Sequence, residues 1–246
     1  TTQKKDGTLL TKADKEVDAF ICSELSRLTP DIAIISEEGD NHVIKKTDDF
    51  WLVDPIDGTR GFVDGNDEFC INIALIRSNK PVLALIYVPV KKHYFATTFN
   101  CSKSFHYSGA GAIPLKTDKS KPLGRLCLIT GRHKSIDEVL KMHFSSLSPF
   151  EQIKRMHSAI KFTQICLGYA DVYIRQGPTC LWDVAAGQLL VEKAGGIVVD
   201  FQGKTLQYRP ERGLINPPFI VLGNSALLPD LLELCHKTRE RYEKRN

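Results

Sequence analysis

Phe50-Trp51-Leu52-Val53-Asp54-Pro55-Ile56-Asp57-Gly58-Thr59-Arg60 begins as an apolar run and ends, within a few residues, in acid, glycine and hydroxyl. Phe50 to Val53 reads as a buried strand. Pro55 fixes its own φ and pushes Asp54 into an extended conformation. Gly58 lets the chain approach a ligand closely and turn into a helix. The amide hydrogens of Gly58 and Thr59 then lie at that helix's amino end, a natural seat for a phosphate. Carboxylates at 54 and 57, flanking such a turn, can bind hard divalent cations while the amides hold an anion. Magnesium suits this inventory of oxygen ligands, retained waters and phosphate oxygens. A plain turn is the competing reading.

Working outward, Val17, Phe20, Ile21, Leu25 and Leu28 recur at helical spacing from Lys12 onward, and Pro30 closes the pattern. Ile32 to Ile35 reads as a short buried strand ending in Ser36-Glu37-Glu38-Gly39, with a polar loop from Asp40 to Asp49. Phe69 to Ile76 and Val82 to Val88 form a strand pair through Ser78-Asn79-Lys80-Pro81, and His93 to Thr98 adds a third strand. Residues 100–124, rich in Gly, Ser, Lys and Pro, read as the seam between an amino-terminal half (1–115) and a carboxy-terminal half (116–246). Beyond it come a strand at Leu126 to Ile129, helices near Ile136 to Phe144 and Ala159 to Leu167, and a strand at Val172 to Ile174. A helix from Asp183 to Ala194 is stopped by Gly195-Gly196; strands at Ile197 to Val199 and Phe219 to Leu222 follow, then a helix from Leu227. An antiparallel first half and an alternating second half make a layered α/β protein.

Further acids follow apolar strands or open helices: Asp14, Glu37-Glu38 and Asp183 after Trp182. Strand ends are where open α/β sheets place ligands. Each acid also has a bland reading. Thr11-x-x-Asp14 fits a capping box, Glu37-Glu38 a solvated turn, and Asp183 a helix amino terminus. If three carboxylates converge at about 4 Å, each pair repels by roughly 4 kcal/mol at an effective dielectric of 20, on the order of 10 kcal/mol in all. That is comparable with a domain's whole stability, so convergence demands cations.

The 246 residues carry 33 basic and 29 acidic side chains, a net +4, with 42% hydrophobic and 25% charged residues. This excludes a disordered chain, and the charge excess is too small to imply a nucleic-acid protein. The Lys/Arg-rich tail from Lys237 to Arg245 interleaves Glu240 and Glu243, as a solvated helix does. No apolar run approaches a membrane span; Val82 to Val90 is interrupted by Pro89. The seven cysteines (Cys22, Cys70, Cys101, Cys127, Cys166, Cys180 and Cys235) are odd in number and widely spaced without Cys-x-x-Cys. They read as reduced, structural thiols of a cytosolic compartment. No Gly-x-Ser-x-Gly, His-Glu-x-x-His or Gly-x-x-x-x-Gly-Lys supports another mechanism.

Taken jointly, Thr11-Lys12-Ala13-Asp14, Ser36-Glu37-Glu38, the Phe50–Arg60 stretch, and Gly177-Pro178-Thr179 leading to Trp182-Asp183-Val184-Ala185-Ala186-Gly187 resemble the inositol monophosphatase superfamily. Within it they are most similar to 3′(2′),5′-bisphosphate nucleotidases of the CysQ type. The resemblance implies an αβαβα layered sandwich, although the usual first amino-terminal helix is expected to be absent here. It implies a magnesium-dependent phosphomonoesterase hydrolysing adenosine 3′,5′-bisphosphate to AMP with a metal-activated water, on two or three magnesium ions per site.

Carried over by position, Glu37, Asp54 and the Ile56 carbonyl would bind one magnesium, Asp54, Asp57 and Asp183 a second, and Glu37 a weaker third. Gly58 and Thr59 would receive the phosphate, while Asp14 and the Thr59 hydroxyl orient and deprotonate the attacking water. Arg60, His133, Ser158, Lys161 and Asp183 are the implied substrate contacts; Arg132 stands where relatives often carry serine. The implied partner is a small nucleotide bisphosphate and not nucleic acid; the implied location is cytoplasmic, with peripheral membrane association allowed, and monomer or homodimer is left open. Rival readings are an inositol monophosphatase-type enzyme and a catalytically impaired nucleotide-binding homologue.

Overall fold

The computed structural model describes residues 2–3, 9–39, 48–132 and 150–234. His133, Cys235, the expected helix at 136–144 and most of the 40–49 loop lie outside these residues. A short pair, β1 (Thr2–Gln3) and β2 (Leu9–Leu10), leads into α1 (Lys12–Leu28). Seven strands then form one sheet in chain order: β3 (Ala33–Ser36), β4 (Asp49–Asp57), β5 (Cys70–Arg77), β6 (Lys80–Val88), β7 (His93–Thr98), β8 (Phe105–Ser108) and β9 (Gly111–Pro114). Only β3 and β4 pair in parallel; the rest is an antiparallel meander. A short helix α2 (Thr59–Val63) sits between β4 and β5.

The second sheet has the order β11-β10-β12-β14-β13, built from β10 (Leu126–Thr130), β11 (Phe150–Arg155), β12 (Val172–Arg175), β13 (Ile197–Asp200) and β14 (Phe219–Leu222). Helices α3 (Ile160–Cys166) and α4 (Ala185–Lys193) belong to this half. Alternation along the strands assigns each face. On β4, Phe50 and Leu52 enter the core between the sheets, while Trp51 and Val53 pack under Ile21 and Leu25 of α1. On β10, Cys127 and Ile129 face the inner core, and Leu126 and Leu128 face outward onto Leu231 of the helical stretch 228–234. The inner core also holds Phe162 of α3 and Leu189 and Leu190 of α4. The result is an αβαβα sandwich: α1, sheet, α3 and α4, sheet, terminal helix. Gly187 permits its closest seam, because a Cβ there would lie 2.3 Å from the Phe162 ring.

Three details depart from the sequence reading. The expected seam at 100–124 contains β8 and β9, so irregular chain separates the two sheets only from Leu115 to Arg125. β11 was not expected; its Phe150-Glu151-Gln152-Ile153-Lys154-Arg155 lies on the sheet edge, where polar side chains face solvent and no apolar alternation is needed. The helix expected from Asp183 starts at Ala185, and Asp183 ends a 3-10 turn, Leu181–Asp183.

Candidate active site

The parallel β3–β4 pair delivers two acids to one spot. Ser36 lies opposite Val53, and the Glu37 amide donates to the Val53 carbonyl at 3.1 Å, so Glu37 emerges beside Asp54. Strand periodicity should send Asp54 and Asp57 to opposite faces. A bulge between them resets the alternation: Asp54 pairs with Asn72 and Asp57 with Cys70, both on the inner face. Pro55 sits in this bulge, beyond the last residue paired to β3, where its missing N–H breaks no ladder.

From the other half, the 3-10 turn brings Asp183 into the group. Carboxylate oxygens of Glu37, Asp54 and Asp183 all lie within 4.8 Å of one another. Asp54 is only 1% exposed, and its Oδ1 finds no hydrogen-bond partner among the described residues. Burial, then the charges of Glu37, Asp57 and Asp183, pushes Asp54 well above the usual carboxylate range. Burial and Asp57 push Asp183 up to about 8, against a hydrogen bond from the Cys180 amide to Oδ2 at 2.7 Å. Asp57 is also raised by burial, and the Lys161 charge and the Asn72 and Ala159 donors oppose the rise. At 4.8 Å two charged carboxylates repel by roughly 3.5 kcal/mol at an effective dielectric of 20. A buried orphan oxygen among like charges fits a hard cation, whose oxygen ligands these side chains supply.

The acids floor a cleft of about 590 Å³. Ile56, Gly58, Thr59, Arg60, Ser158 and Lys161 line it. Gly58 adopts φ +92°, and a Cβ there would meet the Glu68 carbonyl oxygen at 2.8 Å. Lys161 is buried; its Nζ donates to the carbonyls of Met156 and Ser158 and stands 5.3 Å from the Tyr173 ring centroid. Burial lowers it to about 8. Asp14 does not line the cleft. It closes a capping box on α1, with Oδ2 accepting from the Thr11 amide at 2.7 Å, while Oδ1 lies 3.5 Å from the Thr59 hydroxyl oxygen. Thr59 Oγ1 also lies 3.1 Å from the Ile56 carbonyl. Asp14 thus caps α1 and reaches the cleft only through its contact with Thr59.

Arg175 lines the cleft without having been singled out in the sequence, and Arg132, where relatives often carry serine, has a partner that the sequence does not indicate. Arg175 donates through Nε and Nη2 to the carbonyls of Gly177 and Pro178, which bracket the chain leading to Thr179. Arg132 pairs with Glu68 through Nε at 2.9 Å and Nη2 at 2.5 Å, and Glu68 Oε2 also accepts from the His157 amide at 3.1 Å. That network pulls Glu68 below its ordinary range. The Arg132–Glu68 and His157–Glu68 contacts span 64 and 89 residues, so spacing carries no signal for them, whereas the Arg175 bonds are local.

The model for the "Inositol monophosphatase family" matches residues 1–241. The chain is 37% identical to a 3′(2′),5′-bisphosphate nucleotidase CysQ of Salmonella typhimurium, covering 89% of this chain and 87% of the relative. It is 30% identical to that of Haemophilus influenzae, over 91% and 83%. Among solved structures, CysQ from Bacteroides thetaiotaomicron, described as a bacterial member of the inositol monophosphatase family, aligns with a TM-score of 0.73 at 29% identity over 89% and 86%. The Thermotoga maritima IMPase aligns with a TM-score of 0.80 at 24% identity over 97% and 88%, a likeness of fold.

Proposed function

The chain belongs to the inositol monophosphatase family, and from that premise we propose that it is a magnesium-dependent phosphomonoesterase that removes one phosphate from adenosine 3′,5′-bisphosphate to give AMP. The observation that carries the reading is that carboxylate oxygens of Glu37, Asp54 and Asp183 lie within 4.8 Å of one another, with Asp54 Oδ1 buried and without a partner among the described residues. The nucleotidase names of relatives at 30–37% identity support the substrate.

In this reading Glu37, Asp54 and the Ile56 carbonyl would hold one magnesium, Asp54, Asp57 and Asp183 would hold a second, and Glu37 would help with a third. Bound magnesium supplies positive charge to the phosphoryl oxygens and lowers the pKa of a coordinated water. The protein's own residues do the rest. The Gly58 and Thr59 amides receive the scissile phosphate, at a turn only glycine can make without meeting Glu68. The Thr59 hydroxyl, between Asp14 Oδ1 and the Ile56 carbonyl, orients the water, and Asp14 takes its proton through that contact. Lys161 offers a compact cation to the phosphate that stays, with Arg60 and Ser158 at the wall. His133 completes the proposed substrate contacts.

No helix among the described residues is long and apolar enough to cross a membrane. The six described cysteines are free, which supports a reducing, cytoplasmic compartment.

The test is phosphate release with magnesium from adenosine 3′,5′-bisphosphate beside inositol monophosphate and fructose 1,6-bisphosphate. The nucleotide should be preferred, and Asp57→Asn should abolish turnover. A preference for inositol phosphate overturns the substrate; activity that survives chelation overturns the metal role.

A further inference from the structure

Asn72 is a polar side chain buried to 1% exposure in the middle of β5, a position that a strand interior normally gives to an apolar residue. It stands directly across from Asp54 in the β4–β5 ladder, yet its Nδ2 donates diagonally to Asp57 Oδ2 at 3.0 Å. Its Oδ1 accepts from the Cys70 thiol at 3.4 Å. The amide orientation follows from these neighbours, because the flipped form would set two acceptor oxygens 3.0 Å apart.

The Ala159 amide also donates to Asp57 Oδ2, and the Cys70 sulfur lies 3.9 Å from the same oxygen. The protein thus concentrates its donors on one oxygen of Asp57, from β5 on one side and from the start of α3 on the other. Those contacts fix the carboxylate plane and leave Oδ1 as the oxygen for a ligand.

We propose that Asn72 is a positioning residue: it turns Asp57 so that Oδ2 is spent on the protein and Oδ1 alone faces the cation site. This rests on the metal role proposed for Asp57 and deepens it, since it defines Asp57 as a one-oxygen ligand whose rotation is set by the neighbouring strand. A hydrogen-bond partner of this kind tunes a metal ligand without touching the metal, and losing one typically weakens affinity by roughly 10–100-fold. The signature in sequence is the polar residue in Cys70-Ile71-Asn72-Ile73, where alternation otherwise fills the inner face with Cys70, Ala74 and Ile76.

The experiment is magnesium titration by calorimetry on the metal-free wild type, Asn72→Leu, which keeps the branched shape without the amide, and Asn72→Ala, with thermal midpoints recorded in chelator. Both variants should bind magnesium about 10–100-fold more weakly. Variants that fold and bind with wild-type affinity, whatever their midpoints, overturn the proposal. If neither variant folds, the magnesium-loaded wild-type crystal structure decides: Oδ1 on the cation with Oδ2 still on Asn72 supports it, and bidentate or Oδ2 ligation overturns it. A wild type that binds no magnesium refutes the metal reading itself, so the two failures are distinguishable.

Discussion

Asp171 and Asp54 are both nearly inaccessible, at 5% and 1% exposure, and the protein treats them in opposite ways. Asp171, just ahead of β12, accepts from Lys121 Nζ at 2.8 and 3.1 Å and from the Cys127 amide at 2.7 Å. Its charge is matched and its oxygens are used. Asp54 meets Glu37, Asp57 and Asp183, all of its own sign, and keeps an oxygen without a partner among the described residues. The same chain can plainly bury a carboxylate in comfort. Where it does not, the cost is retained for a cation, because a buried unpaired charge is otherwise shed.

The sharpest way to break this contrast is Asp54→Asn. Activity should fall by at least about 10³-fold, or roughly 4 kcal/mol of transition-state stabilisation. The midpoint in chelator should rise at pH 8, since like-charge repulsion is relieved. A variant that loses stability in chelator as well as activity would make Asp54 a structural acid like Asp171.

Acidity gives the next test. Asp183, held at about 8, keeps a proton in the folded protein that the unfolded chain releases near pH 4. Its contribution to metal-free stability is therefore full below about pH 4 and is lost as pH rises through about 8, by at most about 1.4 kcal/mol per pH unit. Denaturant midpoints in chelator should fall across that window, and magnesium should flatten the fall. Asp171→Ala reverses the pattern: stability should drop by about 1–3 kcal/mol, because the Cys127 amide and Lys121 lose their acceptor, with magnesium affinity unchanged by calorimetry. Arg132→Ala, which removes a rim pair with Glu68, should cost under about 1 kcal/mol by thermal melts, as half-exposed pairs do.

How much of this could be read from the chain depends on the distance over which each feature is encoded. β4, β14, α1 and the Gly58 turn follow from local periodicity and special residues, and their positions match to within a few residues. β8 and β9 escaped notice because Gly109, Gly111 and scattered serines look like loop, although they close a hairpin. Glu37, Asp54, Asp57 and Asp183 stood out because each follows or opens a regular element. The convergence of Glu37, Asp54 and Asp183 was not readable, since it needs a parallel strand pair and a turn from the other half. The bulge was hidden for a further reason: taken at strand periodicity, Asp54 and Asp57 should have pointed apart. Asn72 is a single polar residue in an apolar strand, and only its cross-strand neighbours give it a role.

The extra residue in β4 also bears on transplantation. Copying Asp-Pro-Ile-Asp-Gly-Thr into a regular strand of another scaffold would carry the letters and lose the device, with one donor aimed into the host's interior and the other into bulk water. The portable unit is a ribbon of two strands, one kinked and its neighbour supplying the amide that locks the kinked strand's second acid, so an engineer should graft both or neither.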